Sequence, residues 1–302
     1  MPVTRLVFFN PSSGSAWIAE RTLRAVEALA RAPGTQVHGT VPGSVEEQVR
    51  THLSPEIERV YAIGGDGTVG DVASAMVGTR AALGIIPAGT TNVLAREYGI
   101  PMRTIRAVEA LERSTRTANL RTWRVGGHTA VLGAGVGWDA RVMWRAPSWL
   151  KRRFGRTGIG LMGFLETARY EFPRLTVTGT NDRGQQETLH GVQVILATVK
   201  RWAGGNTGIP QADPSDEYID VVVVDTRSRL LMLAFWGLMT TPGGRPLSLP
   251  GVRTARLLDA RVTSDSGVEI EAHVNGEGGL LKTPLAMEPG GDVRVLVPDG
   301  SA

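Results

Sequence analysis

Three times in the first third of the chain, at residues 6–9, 60–63 and 83–86, a short apolar run breaks off into a turn of glycine, serine, threonine or asparagine. Helical spacing accompanies these runs. Residues 19–31 place Leu23, Val26, Leu29 and Ala30 on one stripe, residues 37–40 are short and extended, and residues 45–53, 69–77 and 91–98 read as further helices. Short buried strands alternating with helices are the sequence form of an open α/β sheet, because a parallel strand is reached only by a crossover that lays a helix over the sheet. This pattern predicts a three-layer α/β domain over residues 1–120.

From about Thr117 the grammar changes. Residues 117–125 and 128–132 flank a Gly126-Gly127 hairpin turn, and residues 175–178 and 187–198 flank Asn181-Asp182-Arg183-Gly184. Further strands are expected at 219–224, 255–264, 268–274 and 293–297, with only two helices between them, at 149–170 and 229–240. Such a set predicts a β-sandwich domain over residues 121–290, packed against the first with a cleft between, where ligands usually bind.

Composition narrows the function. The 302 residues are 42% hydrophobic and contain no cysteine, which excludes disulfides, thiolate metal sites and a cysteine nucleophile and suits a cytoplasmic setting. The apolar stretch at residues 230–239 is half the length a membrane-crossing helix needs, and the N-terminal run is too short for a secretory signal. Net charge is +4, and of 33 basic residues only Lys151, Lys200 and Lys282 are lysine. An arginine excess favours phosphate or an anionic surface as partner.

The sharpest local signal is Gly64-Gly65-Asp66-Gly67-Thr68, between a strand and a helix. Adjacent glycines leave no side chain between backbone N–H groups and an anion, and the following helix aims its positive end at the same spot. Asp66 alone would repel phosphate, so the pairing calls for a divalent cation between them. Pro87-Ala88-Gly89-Thr90-Thr91-Asn92 and Asn10-Pro11-Ser12-Ser13-Gly14-Ser15 occupy the same position after two other strands, and in open α/β sheets such ends line the ligand crevice. Capping chemistry explains any one of the three turns; together they predict a nucleotide site. No lysine follows a glycine, so a Walker loop is absent, and there is no Gly-x-Ser-x-Gly elbow. Gly133-Ala134-Gly135-Val136-Gly137 has glycines spaced as in a dinucleotide fingerprint but follows a hairpin, which is the wrong context, and the five histidines show no metal-binding spacing.

The order Asn10-Pro-x-Ser-Gly, Gly64-Gly-Asp-Gly-Thr-Val, Gly84-Ile-Ile-Pro-Ala-Gly-Thr-Thr-Asn and Gly99-Ile-Pro resembles the catalytic domain of the diacylglycerol kinase family, in particular its small bacterial lipid kinases. The resemblance continues through Gly137-Trp-Asp139-Ala, Gly204-Gly205 with Pro210-Gln-Ala212, Asp216 and Ile219-Asp-Val; NAD kinases share the Gly-Gly-Asp-Gly turn, but the sandwich half with its glycine-proline segment fits the lipid branch better. It implies ATP- and Mg²⁺-dependent phosphorylation of a lipid alcohol, with the last strand, within residues 290–302, returning to the first domain. It further implies that Asn10, Ser12, Thr40, Gly64, Gly65, Asp66, Gly67, Thr68, Gly89, Thr90 and Asn92 hold ATP. Asp66 would organise the catalytic Mg²⁺ and Asp216 a second, structural one. Two departures stand out. Gly70-Asp71 replaces the family's Asn-Glu, and Asn275-Gly276-Glu277 replaces its Asp-Gly-Glu. An amide cannot accept the lipid proton, so Asn275 replaces the base, Glu277 is left to act through water or to ligate nucleotide or metal, and the chain reads either as a kinase or as a weakened member that binds without efficient turnover. A near-isosteric Asn275→Asp change is expected to leave packing intact and raise turnover.

Residues 144–156 bring Trp144, Arg145, Trp149, Lys151, Arg152, Arg153, Phe154 and Arg156 together. Aromatic rings prefer the headgroup layer and basic residues an anionic surface. The segment therefore predicts peripheral contact with an anionic membrane rather than nucleic acid; the alternative is a connection whose Trp rings face the core. A homodimer is left open.

Overall fold

The structure is a computed structural model that describes residues 2–11, 16–145, 148–202 and 206–300, without the side chains of 16–18, 148–157, 159 and 278–280. It forms two compact units, Met1–Thr122 with Gly290–Ala302, and Trp123–Pro289.

The first unit comprises β1 (Arg5–Phe9), α1 (Ala16–Ala30), β2 (Thr35–Gly39), α2 (Val45–Arg50), β3 (Arg59–Gly64), α3 (Asp66–Met76), β4 (Ala82–Pro87), α4 (Val93–Glu97), α5 (Thr104–Arg113) and most of β5 (Thr117–Val125). The strands lie in the order β2-β1-β3-β4, all parallel. Every residue of β4 and all but the first of β3 are buried, so helices cover both faces, α1 packing with α5 and α2 with α3. Because β2 and β3 lie on opposite sides of β1, the chain reverses its winding between β1 and β3. In an open α/β sheet that switch point opens a crevice at the carboxyl ends of the strands.

The second unit adds β6 (His128–Ala130), β7 (Gly133–Gly137), α6 (Trp138–Arg145), α7 (Ser148–Arg169), β8 (Leu175–Thr180), β9 (Gln186–Gly191), β10 (Gln193–Ala197), β11 (Arg201–Trp202), β12 (Asn206–Thr207), β13 (Ile219–Val224), α8 (Arg229–Thr240), β14 (Val252–Leu257), β15 (Ala260–Ser264), β16 (Glu271–Val274), β17 (Glu277–Lys282) and β18 (Leu285–Leu296). A six-stranded antiparallel sheet runs β14-β13-β10-β7-β16-β17. One face, with Val194, Leu196, Val221 and Val223, shares a core with β8, β15 and the start of β18; the other, with Ile195, Val222 and Val224, packs on Met232, Phe235 and Met239 of α8. Double coverage explains why Ile219–Val224 is almost unbroken valine where an antiparallel strand with one wet face would alternate. The one acid in the run, Asp220, is fully buried. Past Pro289, β18 runs on into the first unit, where Arg294 and Val295 pair in parallel with Ala82 and Leu83.

The sandwich and α/β units match the predicted fold class, and the local differences have simple causes. Helix α3 begins at Asp66 because Gly65 takes the extended N-cap conformation. The strands expected at 187–198 and 255–264 each divide in two, β9 from β10 and β14 from β15, so that each half joins a different layer. A third helix, α6, interrupts the β region. No helix among the described residues is long and apolar enough to cross a membrane.

Candidate functional site

Four of the predicted nucleotide contacts converge on the carboxyl edge of the parallel sheet. Asn10 follows β1, Thr40 follows β2 with its N–H on Phe9 O at 2.9 Å, Gly64 ends β3, and Gly89 follows β4. Asn10 and the β3–α3 turn thus flank the switch point between β1 and β3. The two glycine turns touch through their backbones: Ala88 N donates to Gly64 O at 2.9 Å, and a Cβ on Gly89 would lie 2.5 Å from Gly65 Cα. Thr90 is exposed, while Gly65, Gly67 and Thr68 are half-buried at the start of α3. Ser12 lies outside the described residues. Glycine backbone at a helix N-terminus has the chemistry of an anion cradle, left open by the missing side chains.

Asp66 and Asn92 lock that cradle. Asn92 adopts a left-handed conformation, φ 50°, and its side-chain amide closes a ring with Gly89, accepting from Gly89 N at 2.9 Å and donating to Gly89 O at 2.7 Å. Asp66 Oδ1 accepts from Val93 N at 2.6 Å, tying the start of α3 to the start of α4. Burial pushes the Asp66 carboxyl above its ordinary range, against the pull of the backbone N–H groups of Val93, Leu94 and Asn92 and of Arg96. A cation beside it would relieve that buried charge. One carboxylate at the edge of a phosphate cradle is also the protein share that Mg²⁺ commonly takes when substrate phosphates complete its shell, so the residues here fit Mg²⁺ with ATP.

In the second unit the Asn275 turn is held from two sides. Asn275, φ 55°, accepts Val131 N and Leu132 N on Oδ1 at 2.8 and 3.0 Å and donates Nδ2 to Thr129 O at 2.9 Å. Two donors at one end and a carbonyl at the other require an amide. The expectation that Asn275→Asp leaves packing intact is therefore corrected: the aspartate would set a carboxylate oxygen against Thr129 O. We expect that variant to lose about 1–3 kcal/mol of stability, read as a lowered midpoint in urea with unchanged slope. Glu277, two residues on, is exposed.

On the other side, buried His273 contacts Asp139 Oδ2 through Nε2 at 3.1 Å and accepts Gly276 N on Nδ1 at 3.3 Å. An accepting Nδ1 puts the ring proton on Nε2, facing the carboxylate. Asp139 Oδ1 further accepts Gln193 Nε2 at 2.8 Å and Ala140 N at 2.7 Å. A Cβ on Gly135 would overlap both Asp139 and His273, which is why this run with fingerprint-like glycine spacing is a glycine-rich central strand. Sequence reading missed His273. Its only signal was its place two residues before Asn275.

Asp216 is occupied differently from its implied role. Its Oδ1 accepts Tyr218 N at 2.9 Å, and its other oxygen is paired with the guanidinium of Arg256, which lies 4.3 Å above the Tyr218 ring. Asp220, directly opposite Arg256 in the β13–β14 register, is fully buried with no hydrogen bond to either oxygen, and Arg256 Nε stands 3.6 Å away. Burial pushes Asp220 up to about 6 despite that guanidinium. An arginine stands beside Asp216, with Asp213 near enough to add to burial in raising the carboxyls of both Asp216 and Asp220. Two results are expected without nucleotide: chelator leaves the unfolding temperature of wild type unchanged, and Arg256→Met costs about 1–3 kcal/mol by stranding buried charge. Among the described residues no group of three His, Asp or Glu forms a metal site.

Of the basic aromatic segment, Trp144 and Arg145 are exposed, and Arg145 reaches Glu166 at 3.6 Å. The side chains of Trp149, Lys151, Arg152, Arg153, Phe154 and Arg156 lie outside the described residues, as do Gly204 and Gly205.

Comparison with known proteins places these features in a family. Residues 4–123 match the diacylglycerol kinase catalytic domain and residues 133–296 the YegS C-terminal NAD kinase beta sandwich-like domain. A Mycobacterium tuberculosis protein named diacylglycerol kinase is 28% identical over 236 residues, covering 74% of each chain. One from Bacillus subtilis with the same name is 24% identical over 225 residues, 72% of each. A diacylglycerol kinase crystal structure from Bacillus anthracis superposes with a TM-score of 0.72 over 99% of this chain and 98% of that one at 18% identity, a likeness of fold.

Proposed function

The chain belongs to the diacylglycerol kinase-like lipid kinase family, and from that premise we propose that it moves the γ-phosphoryl group of ATP, carried with Mg²⁺, onto the hydroxyl of a lipid alcohol such as diacylglycerol. The observation that carries the reading is the glycine cradle at the sheet's switch point, with Asp66 as its one carboxylate. Bound Mg²⁺ would supply charge neutralisation on the phosphates. Backbone N–H groups of Gly65 to Thr68 would bind phosphate oxygens, Asn10, Thr40 and Thr90 would contact the remaining nucleotide, and Asn92 would keep the Gly89 turn open. In the transfer the bond from the γ-phosphorus to the ADP oxygen breaks, the lipid oxygen bonds to phosphorus, and the hydroxyl proton leaves.

Asn275 does not take that proton, since its side chain is spent on Thr129, Val131 and Leu132. We assign the acceptor role to Glu277 or to water it orders, with Asn275 as the residue that shapes the turn. Transfer through a loose transition state relies mainly on positioning and charge, while a general base contributes about 10²–10⁴. The engaged amide also favours the second reading, a family member that binds nucleotide or lipid with little turnover. ADP release separates them: diacylglycerol, sphingoid base or polyprenol should each be tried, and stimulation by one supports the kinase, while nucleotide binding with no lipid stimulation supports the weakened member. A lipid acceptor would bring the protein to a membrane face as a peripheral protein.

A further inference from the structure

The turn between β16 and β17 is a two-residue hairpin of the mirror-image kind. Asn275 and Gly276 both have positive φ, 55° and 79°, and Val274 and Glu277 pair on either side of them. Glu277 is therefore the first residue out of the turn, and its backbone follows wherever Asn275 and Gly276 go. The closing pair leaves the Gly276 N–H outside the ladder, and the His273 ring supplies its acceptor, Nδ1 at 3.3 Å.

His273 is itself held from behind. Its Nε2 meets Asp139 Oδ2 at 3.1 Å, Asp139 Oδ1 accepts Gln193 Nε2 at 2.8 Å, and Gln193 Oε1 accepts Asp139 N at 3.0 Å. All three residues are buried. The register between β16 and β17 slips between Ala272 and His273, and such an irregularity is where a strand can re-aim a side chain. A buried ionic network is weak evidence for stability, since well-packed apolar residues commonly serve as well. What a histidine adds here is one ring with two uses, a donor locked on Asp139 and an acceptor aimed at the turn.

We propose that His273 is a positioning residue for phosphoryl transfer: by holding the Gly276 N–H it sets the direction in which Glu277 leaves the turn. The inference rests on the kinase reading, in which Glu277 or water it orders takes the lipid proton. Two substitutions divide the uses of the ring. Asparagine sets its Oδ1 where Nδ1 stands and falls short of Asp139, whereas glutamine sets its Nε2 where the ring Nε2 stands and offers Gly276 no acceptor. His273→Asn should therefore unfold at a lower temperature than His273→Gln and yet turn over faster. On a lipid alcohol that wild type phosphorylates, the glutamine variant should lose about tenfold in kcat, with its KM for ATP within about twofold of wild type, while the asparagine variant keeps most of its kcat. Deuterium exchange at the Gly276 amide should be slow in wild type and the asparagine variant and fast in the glutamine variant. Equal kcat in the two variants, or a faster glutamine variant, overturns the role and leaves the kinase reading standing. A wild type that phosphorylates no lipid removes that reading and this role together. If neither variant folds, nitrogen NMR of the wild-type histidines decides: a single ring proton on Nε2 of His273 supports the proposal, and a proton on Nδ1 overturns it.

Discussion

Gly89→Ala is expected to abolish the stabilisation that ATP with Mg²⁺ gives the protein and to cost about 1–3 kcal/mol of fold stability besides. The new Cβ would stand 2.5 Å from Gly65 Cα, 2.9 Å from Asn92 Oδ1 and 3.3 Å from Gly65 N. Two of those atoms are backbone, and the third is the oxygen that closes the Asn92 ring, so nothing nearby is a flexible tip that can swing away. Relief requires the β3–α3 and β4–α4 turns to separate, which opens the cradle and breaks the Ala88–Gly64 bond. Gly160→Ala is the matched control, because a Cβ there meets nothing within 4 Å and a helical alanine is favoured over glycine. Thermal unfolding with and without ATP and Mg²⁺ reads both effects. A Gly89→Ala protein that still responds to nucleotide would remove the turn contact from the site.

Asp66→Asn should separate stability from function in the opposite direction. The amide still offers an oxygen to Val93 N, so the link between α3 and α4 survives. Since burial raises the carboxyl above its ordinary range, the folded protein binds the proton more tightly than the unfolded chain, and stability is lost as pH rises through that interval. The variant escapes this loss. At pH 8 without nucleotide it should unfold no earlier than wild type, with its advantage shrinking as pH falls below the folded carboxyl range. Metal-dependent ATP stabilisation should nevertheless vanish, and turnover should fall by about 10³, the several kcal/mol associated with metal-assisted charge stabilisation. A variant that keeps its Mg²⁺-dependent response would leave Asp66 a cap for α4 and nothing more.

What was legible in the chain followed from local rules. Strand–turn–helix alternation marks the α/β unit because each strand must be buried on both faces and each crossover must carry a helix. The three polar turns point to one candidate edge because parallel strands send all their carboxyl ends to one side. Contacts set by register or by side-chain direction were not legible. Asp220 is visible as an acid inside a valine run, but its neighbour Arg256 is found only once β13 and β14 are aligned. Helix α6 starts directly after β7 with no polar turn to announce it, Gly137 making the change at φ 106°. The substitution at Asn275 reads in sequence as a lost base. In the fold it is an amide required by two N–H groups and one carbonyl, three contacts from β6 and the residues after it, more than 140 residues earlier in the chain.

The most direct measurement is transfer of label from γ-labelled ATP to extracted bacterial lipids, with the product separated and identified by mass spectrometry. Wild type with Mg²⁺ should yield one phosphorylated lipid alcohol, and Asp66→Asn at equal concentration should yield almost none. Label released only as inorganic phosphate, or equal lipid labelling by the two proteins, would contradict the claim that the glycine cradle and Asp66 drive phosphorylation of a lipid hydroxyl.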